Sequence, residues 1–135
     1  MKKSVFLLIA VVTAFLLSGC RFVRIEEEDR KPVSYTVVEH SDIPEELSRI
    51  MEEKKEKEFQ LSYETGEDLY LVKGYGRQMS GGYSIQVKEC YLTETSLVLD
   101  TELTGPKETA ASGEEPSYPY IVLKTEARDE PVIFR

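Results

Sequence analysis

The sequence predicts a mainly β (α+β) domain, a small antiparallel β-sandwich or half-barrel with one flanking N-terminal helix. Three observations predict this fold. After residue 59, short runs rich in Val, Ile, Leu and Tyr recur about every ten residues, as in sandwiches and barrels. Turn-forming residues separate these runs. One earlier segment, about residues 43–58, instead carries apolar residues at helical spacing.

The predicted helix over about 43–58 has a narrow apolar stripe. Its members recur at intervals of three or four residues, namely Ile43, Leu47, Ile50 and Met51. Most of the other side chains in the segment are charged. Asp42 followed by Glu45 resembles a capping box, with Pro44 tolerated in the first turn. We expect the stripe to pack on a sheet rather than to bind a partner.

The predicted β-rich core covers about residues 59–135. A short β-prone run at 35–39 precedes the helix, and the predicted core strands are 59–63, 69–75, 83–92, 96–103, 120–125 and 132–134. A turn at 64–68 and a glycine-rich loop at 76–82 separate the first of these strands. Cys90 lies within an apolar-rich strand, which predicts a buried free thiol.

The N-terminus has the pattern of a secretory signal over residues 1–19. Lys2 and Lys3 precede an apolar run at 5–17, which ends in Leu17-Ser18-Gly19-Cys20. That run is too short to cross a bilayer comfortably as a helix. The ending resembles the lipobox of bacterial lipoproteins. The resemblance implies cleavage before Cys20, a thioether-linked diacylglycerol (with palmitate-type acyl chains) on Cys20, and a location on the extracytoplasmic face of a cell membrane.

We predict that residues 20–34 consist of a lipidated cysteine followed by a charged tether. Four adjacent acids, Glu26 to Asp29, favour a solvated linker. Their spacing lacks the alternating ligands and the glycine of a calcium loop. The remaining segment, 35–135, is therefore the predicted folded domain.

The charge balance excludes some partners. The chain has a net charge of −8, and removal of residues 1–19, which carry two lysines and no acid, makes it −10. This acidity argues against a nucleic-acid partner and against attraction to anionic lipid, so the acyl chains must provide the anchoring. Once Cys20 carries the lipid, Cys90 is left without a partner for an intramolecular disulfide.

Residues for catalysis are sparse. His40 is the only histidine, and the sequence predicts it to be a surface residue just before the helix. A structural zinc site would need about four ligands, which one histidine and one free cysteine do not supply. The sequence therefore predicts no catalytic residues, no metal and no cofactor.

Two segments predict a protein-binding surface. The loop Gly74–Tyr83 lacks the ending of a phosphate-binding loop and is followed by a strand rather than a helix. We expect it to supply adaptable contact groups and close backbone approach through Met79, Ser80, Gly81, Gly82 and Tyr83. Tyr118, Pro119 and Tyr120 form a second rigid, tyrosine-rich spot. The alternatives are a plain connecting loop and two rings that only cover the end of the core.

The order of these motifs resembles the PrcB family. Leu-Tyr-Leu-Val-Lys-Gly-Tyr-Gly at 69–76 precedes Ser80-Gly81-Gly82-Tyr83, and Pro119-Tyr120-Ile121-Val122 follows near the end. The family signature resembles Thr-Gly-Gly-Tyr followed by Pro-Tyr, and Ser80 keeps the hydroxyl group of the more usual threonine. The resemblance spans about 69–125. It implies a non-catalytic subunit that binds, stabilises or regulates an exported protease.

A fainter similarity runs to chagasin-type inhibitors of cysteine proteases, which are immunoglobulin-like sandwiches with clustered binding loops. A function of another class is also open, namely an envelope lipoprotein that binds a peptide, a glycan or a small ligand without any protease partner.

Overall fold

The computed structural model describes residues 30–106 and 115–135. The predicted signal segment, Cys20 and tether residues 21–29 lie outside these residues. The end of the predicted tether belongs to the fold, since Lys31 and Pro32 lie in a strand and Val33 is buried in the core. The elements, in chain order, are β1 (Lys31–Pro32), β2 (Thr36–Val37), a 3₁₀ turn (His40–Asp42), α1 (Glu45–Lys54), β3 (Glu58–Thr65), β4 (Asp68–Tyr75), β5 (Ser84–Leu92), β6 (Leu97–Thr104), β7 (Tyr120–Glu126) and β8 (Val132–Phe134).

The strands form two four-stranded sheets. The β4 sheet has the order β2-β7-β4-β3, and the β5 sheet has the order β1-β5-β6-β8. All pairings are antiparallel except that of β8 with β6, which is parallel. The prediction of a mainly β sandwich with one helix is confirmed, although the parallel strand was not part of it. Neither sheet closes into a barrel, so the sandwich alternative holds over the half-barrel.

Both faces of strand β4 are covered by other parts of the fold. Leu69 and Leu71 face the core between the two sheets. Tyr70 and Val72 face the opposite side, where they pack against α1. A strand covered on both faces is typically a continuous apolar run, as residues 69–72 are; Lys73, which follows, is also buried.

Helix α1 packs on the outer face of the β4 sheet, as its apolar stripe predicts. Ile43, Leu47 and Met51 are buried there together with Val122 of β7, whereas Ile50, the fourth residue of the predicted stripe, is half-buried and lies outside this cluster. The described part of the molecule therefore has three layers, with α1 outside the β4 sheet and the β5 sheet on the far side. No helix among the described residues is long and apolar enough to span a membrane.

The helix is shorter than predicted, and the predicted cap at Asp42 is wrong. The residue before α1 is Pro44, in an extended conformation and without a side-chain cap. Asp42 belongs instead to the 3₁₀ turn, where its amide donates to the carbonyl oxygen of Glu39 at 2.9 Å. At the other end, the carbonyl oxygen of Glu56 accepts a hydrogen bond from the amide of Arg77. Sheet pairing therefore overrides the helical propensity of residues 55–58.

The six predicted core strands match the observed ones to within two residues at each end, whereas the run at 35–39 forms only a two-residue strand.

Strand β5 contains a β-bulge that the sequence pattern did not predict. The pairing with β6 shifts between Val87 and Glu89, so Lys88 is the extra residue. The bulge moves the inward-facing side chains from odd to even positions. Cys90 consequently packs against the core between the sheets as a half-buried free thiol, less buried than predicted.

Candidate functional site

The two predicted binding segments lie side by side. The amide of Gln78 donates to the carbonyl oxygen of Ser117 at 2.8 Å, and the amide of Ser117 donates back to Gln78 at 3.0 Å. This antiparallel bridge lies outside the named strands. It joins the loop after β4 to the segment before β7, so residues 76–83 and 117–120 form one continuous surface, which we call the joined-loop surface.

Side chains reinforce this bridge. The hydroxyl group of Ser117 donates to the carbonyl oxygen of Ser80 at 2.6 Å. The side-chain amide of Gln78 donates to the carbonyl oxygen of Tyr75 at 2.9 Å. The amide of Tyr75, in turn, donates to the carbonyl oxygen of Pro119 at 2.9 Å. Buried backbone groups need such partners, and these bonds hold both loops in a defined conformation before any partner binds.

The two adjacent glycines of the loop have different roles. Gly82 has a φ of +86°, and a Cβ atom there would lie 3.0 Å from the Cβ atom of Pro106. The backbone conformation therefore favours glycine at this position. Gly81 has no positive φ and no heavy atom within 4 Å of a Cβ position. The sequence alone gave both glycines the same role of close approach to a partner, and that role remains a prediction for each.

Met79 is the most exposed large apolar side chain among the described residues, at 81% exposure. Its neighbour Ser80 has its carbonyl oxygen engaged by Ser117, and Tyr83 is half-buried. An exposed, flexible thioether is a side chain of low polarity that adapts to irregular surfaces. Of the loop residues predicted to contact a partner, Met79 has the most exposed side chain.

Tyr118 and Tyr120 extend toward α1 and the turn before it. The hydroxyl group of Tyr118 donates to a carboxylate oxygen of Glu56 at 3.3 Å, and the ammonium group of Lys55 lies 4.7 Å from the centre of the Tyr118 ring. The hydroxyl group of Tyr120 lies 2.8 Å from Nδ1 of His40. Both rings thus lie at the boundary between the helix and the sheet, with polar tips held by residues far away in the sequence.

Two groups in this region have raised pKa values. Burial raises the pKa of the Tyr120 phenol, so this residue stays uncharged over a wider pH range than a free tyrosine. The hydrogen bond from Lys55 to Glu52 raises the pKa of the Lys55 ammonium group. The site therefore presents a neutral phenol and a cation already paired with a carboxylate.

The structure does not bring together a Cys–His pair. His40 contacts Tyr120 on the helix side of the β4 sheet, whereas Cys90 packs in the core between the sheets. No group of three or more metal-ligating side chains occurs within residues 30–106 and 115–135. The pairing of His40 with Tyr120 escaped sequence reasoning because no local pattern connects two residues so far apart along the chain.

Comparison with known protein families gives a match to the β-rich part of the chain. The profile of the family described as PrcB C-terminal matches residues 69–126. The matched segment runs from the start of β4 to the end of β7, and it contains both halves of the joined-loop surface. No curated protein and no solved structure shows a significant match to the chain.

Proposed function

Since residues 69–126 belong to the PrcB C-terminal family, we propose that this protein is a non-catalytic subunit that binds, stabilises or regulates an exported protease. The family name implies association with a protease complex. The finer elements of the proposal are the binding surface, the location of the protein and the kind of effect on the protease.

One observation carries the choice of surface. The family segment contains two loops that lie far apart in sequence, and the bridge between Gln78 and Ser117 makes them one surface. Pre-formed loops lose less conformational entropy on binding than loops that must first become ordered. Met79 adds an adaptable apolar contact at the exposed side of this surface. These features suit recognition of a folded partner.

The lipobox at residues 17–20 supports membrane anchoring through a lipid on Cys20. Two or more acyl chains hold a protein stably at a bilayer, whereas one chain gives only marginal binding. A protease held at the same membrane surface would meet this domain at a raised effective concentration. Anchoring therefore explains how a small binding surface could serve a membrane-associated complex.

Affinity capture tests this proposal. The full chain carries an affinity tag, is solubilised from membranes in mild detergent, and is compared with the Met79→Asp and Ile133→Asp variants. Both positions are exposed apolar residues, but Ile133 lies on β8, outside the joined-loop surface. We expect a protease to copurify with the parent chain and with Ile133→Asp, and to be lost with Met79→Asp.

Two results would contradict the proposal. Equal recovery of the protease with Met79→Asp would remove the joined-loop surface from the interface. Recovery of no protease from the parent chain, together with a rise in melting temperature on addition of a peptide, a glycan or a small ligand, would favour the ligand-binding alternative.

A further inference from the structure

A groove of about 250 Å³ opens between α1 and the segment 118–120. Its walls are largely apolar and come from both layers. Met51 contributes from the helix, Phe59 from β3, and Tyr118 and Tyr120 from the joined-loop surface. Glu52 and Lys55 lie at its rim. The groove is therefore continuous with one half of the proposed binding surface.

A glycine in the sheet lets one aromatic wall of this groove lie close to the backbone. Phe59, Gly74 and Tyr120 form one cross-strand row over β3, β4 and β7. A Cβ atom at position 74 would lie 2.2 Å from Cε1 of Phe59, so the Phe59 ring lies over a position that has no side chain. The Phe59 ring therefore covers the middle of the row, and this ring and Tyr120 form neighbouring walls of the groove.

The polar groups around the groove are largely engaged. Lys55 bonds Glu52 and lies over the Tyr118 ring, and the Tyr120 hydroxyl is bonded to His40. An entering group therefore meets ring faces and the Met51 thioether. At the rim it meets the carboxylate group of Glu52, whose second oxygen can accept a hydrogen bond. This environment suits a group with an aromatic body and a single donor at its tip.

The size of the groove favours a single side chain over a whole small molecule. Small-molecule sites usually measure ~300 Å³ or more, whereas anchor residues of protein partners fill smaller pockets. We propose that the groove receives one tyrosine or tryptophan side chain of the protein partner. The claim that this side chain comes from a protein partner rests on the proposed function. The claim that the groove binds an aromatic side chain does not.

Methionine methyl NMR tests the groove without any protease. The full chain is labelled with ¹³C at its methionine methyl groups and held in lipid nanodiscs. Met51 then reports on the groove, and Met79, in the loop, serves as an internal control. The probes are N-acetyl-tryptophanamide, N-acetyl-tyrosinamide, N-acetyl-leucinamide and N-acetyl-glycinamide.

We expect the two aromatic amides to shift the Met51 signal saturably while Met79 stays unchanged, and the glycine amide to shift neither signal. Ser48 lines the groove, so Ser48→Leu should fill it and weaken the aromatic amides by about tenfold or more. Glu53→Leu, an exposed helix residue that does not line the groove, is the matched control.

An unmoved Met51 signal, equal shifts of Met51 and Met79, or equal binding of the leucine and aromatic amides would each overturn the inference. Because the probes are blocked amino acids, such a failure is separate from a failure to recover a protease in the capture experiment.

Discussion

Gln78 and Ser117 exchange two backbone hydrogen bonds across a sequence separation that no local pattern reveals. One residue follows β4 and the other precedes β7, and those two strands are themselves neighbours in the β4 sheet. The bridge extends this pairing beyond the ends of the strands. The joined-loop surface therefore continues the β4 sheet beyond its strand ends, and the sheet holds the two loops in place.

The first prediction concerns Ser117. In Ser117→Ala the hydroxyl group that donates to Ser80 is lost, while the backbone bridge remains possible. We expect the free energy of unfolding to fall by about 1 kcal/mol, because one partly buried hydrogen bond is removed. Urea unfolding measures this change. Ser62→Ala, at an exposed position of β3, is the control and should change stability by less than ~0.5 kcal/mol. Equal effects of the two variants would show that the Ser117 hydroxyl contributes nothing specific.

The second prediction separates the paired glycines. Gly82→Ala forces a side chain into a left-handed conformation and against Pro106. We expect it to destabilise the protein by about 1–2 kcal/mol. The methyl group added in Gly81→Ala meets open space, and φ there is not positive. This variant should therefore be neutral or more stable by up to about 1 kcal/mol. Thermal unfolding of the two variants checks the contrast. A Gly81 variant that is as unstable as the Gly82 variant would contradict the assigned loop conformation.

This pair also shows where sequence reasoning stops. The pattern Gly81-Gly82 predicts a loop, and the structure confirms the loop, but φ at each glycine depends on how the loop returns to β5. The same limit applies to Cys90. Its inward direction follows from the bulge at Lys88, which the sequence marks only as a break in the alternation at the adjacent polar residues Lys88 and Glu89.

The layers of the fold were more accessible to prediction. The apolar run Leu69–Val72 of β4 indicates a strand buried on both faces, and the stripe of α1 indicates a helix buried on one face. Both agree with the structure. The contact between His40 and Tyr120 depends instead on the relative position of a turn and a strand end. Such contacts arise from the assembled layers and have no local signal.

The third prediction concerns the reactivity of Cys90. Burial raises the pKa of its thiol above the ordinary value of 9.0, and the opposing effect of Arg128 is smaller. The thiolate is the reactive form, so iodoacetamide should react more slowly with Cys90 in the folded protein than in the same protein unfolded in guanidinium. The Cys20→Ser chain leaves Cys90 as its only thiol for this assay.

The pH dependence has a definite sign. The folded state favours the protonated thiol, so this contribution to stability is present below pH 9 and is lost as the pH rises through the folded-state pKa. The alkylation rate of the folded protein should keep rising above pH 9. Equal rates for folded and unfolded protein at pH 8 would show that the thiol is not shielded.

The fourth prediction tests the lipobox. Cys20→Ser removes the acceptor of the proposed lipid, so the chain should remain unprocessed at residue 19 or be released from the membrane fraction. Cys90→Ser is the matched control and should be processed and retained normally. Membrane fractionation and mass spectrometry of the N-terminus distinguish the two results. Normal processing and retention of Cys20→Ser would exclude lipidation at this position.

The central claim is that the joined-loop surface contacts an exported protease. Its most direct test places a photo-crosslinking amino acid at position 79 or at position 37 of the full chain in intact cells. Met79 and Val37 are both exposed apolar residues, at 81% and 56% exposure, but Val37 lies on β2, outside the joined-loop surface. We predict that irradiation joins a protease to position 79 and not to position 37. No protease at position 79, or the same yield at both positions, would contradict the claim.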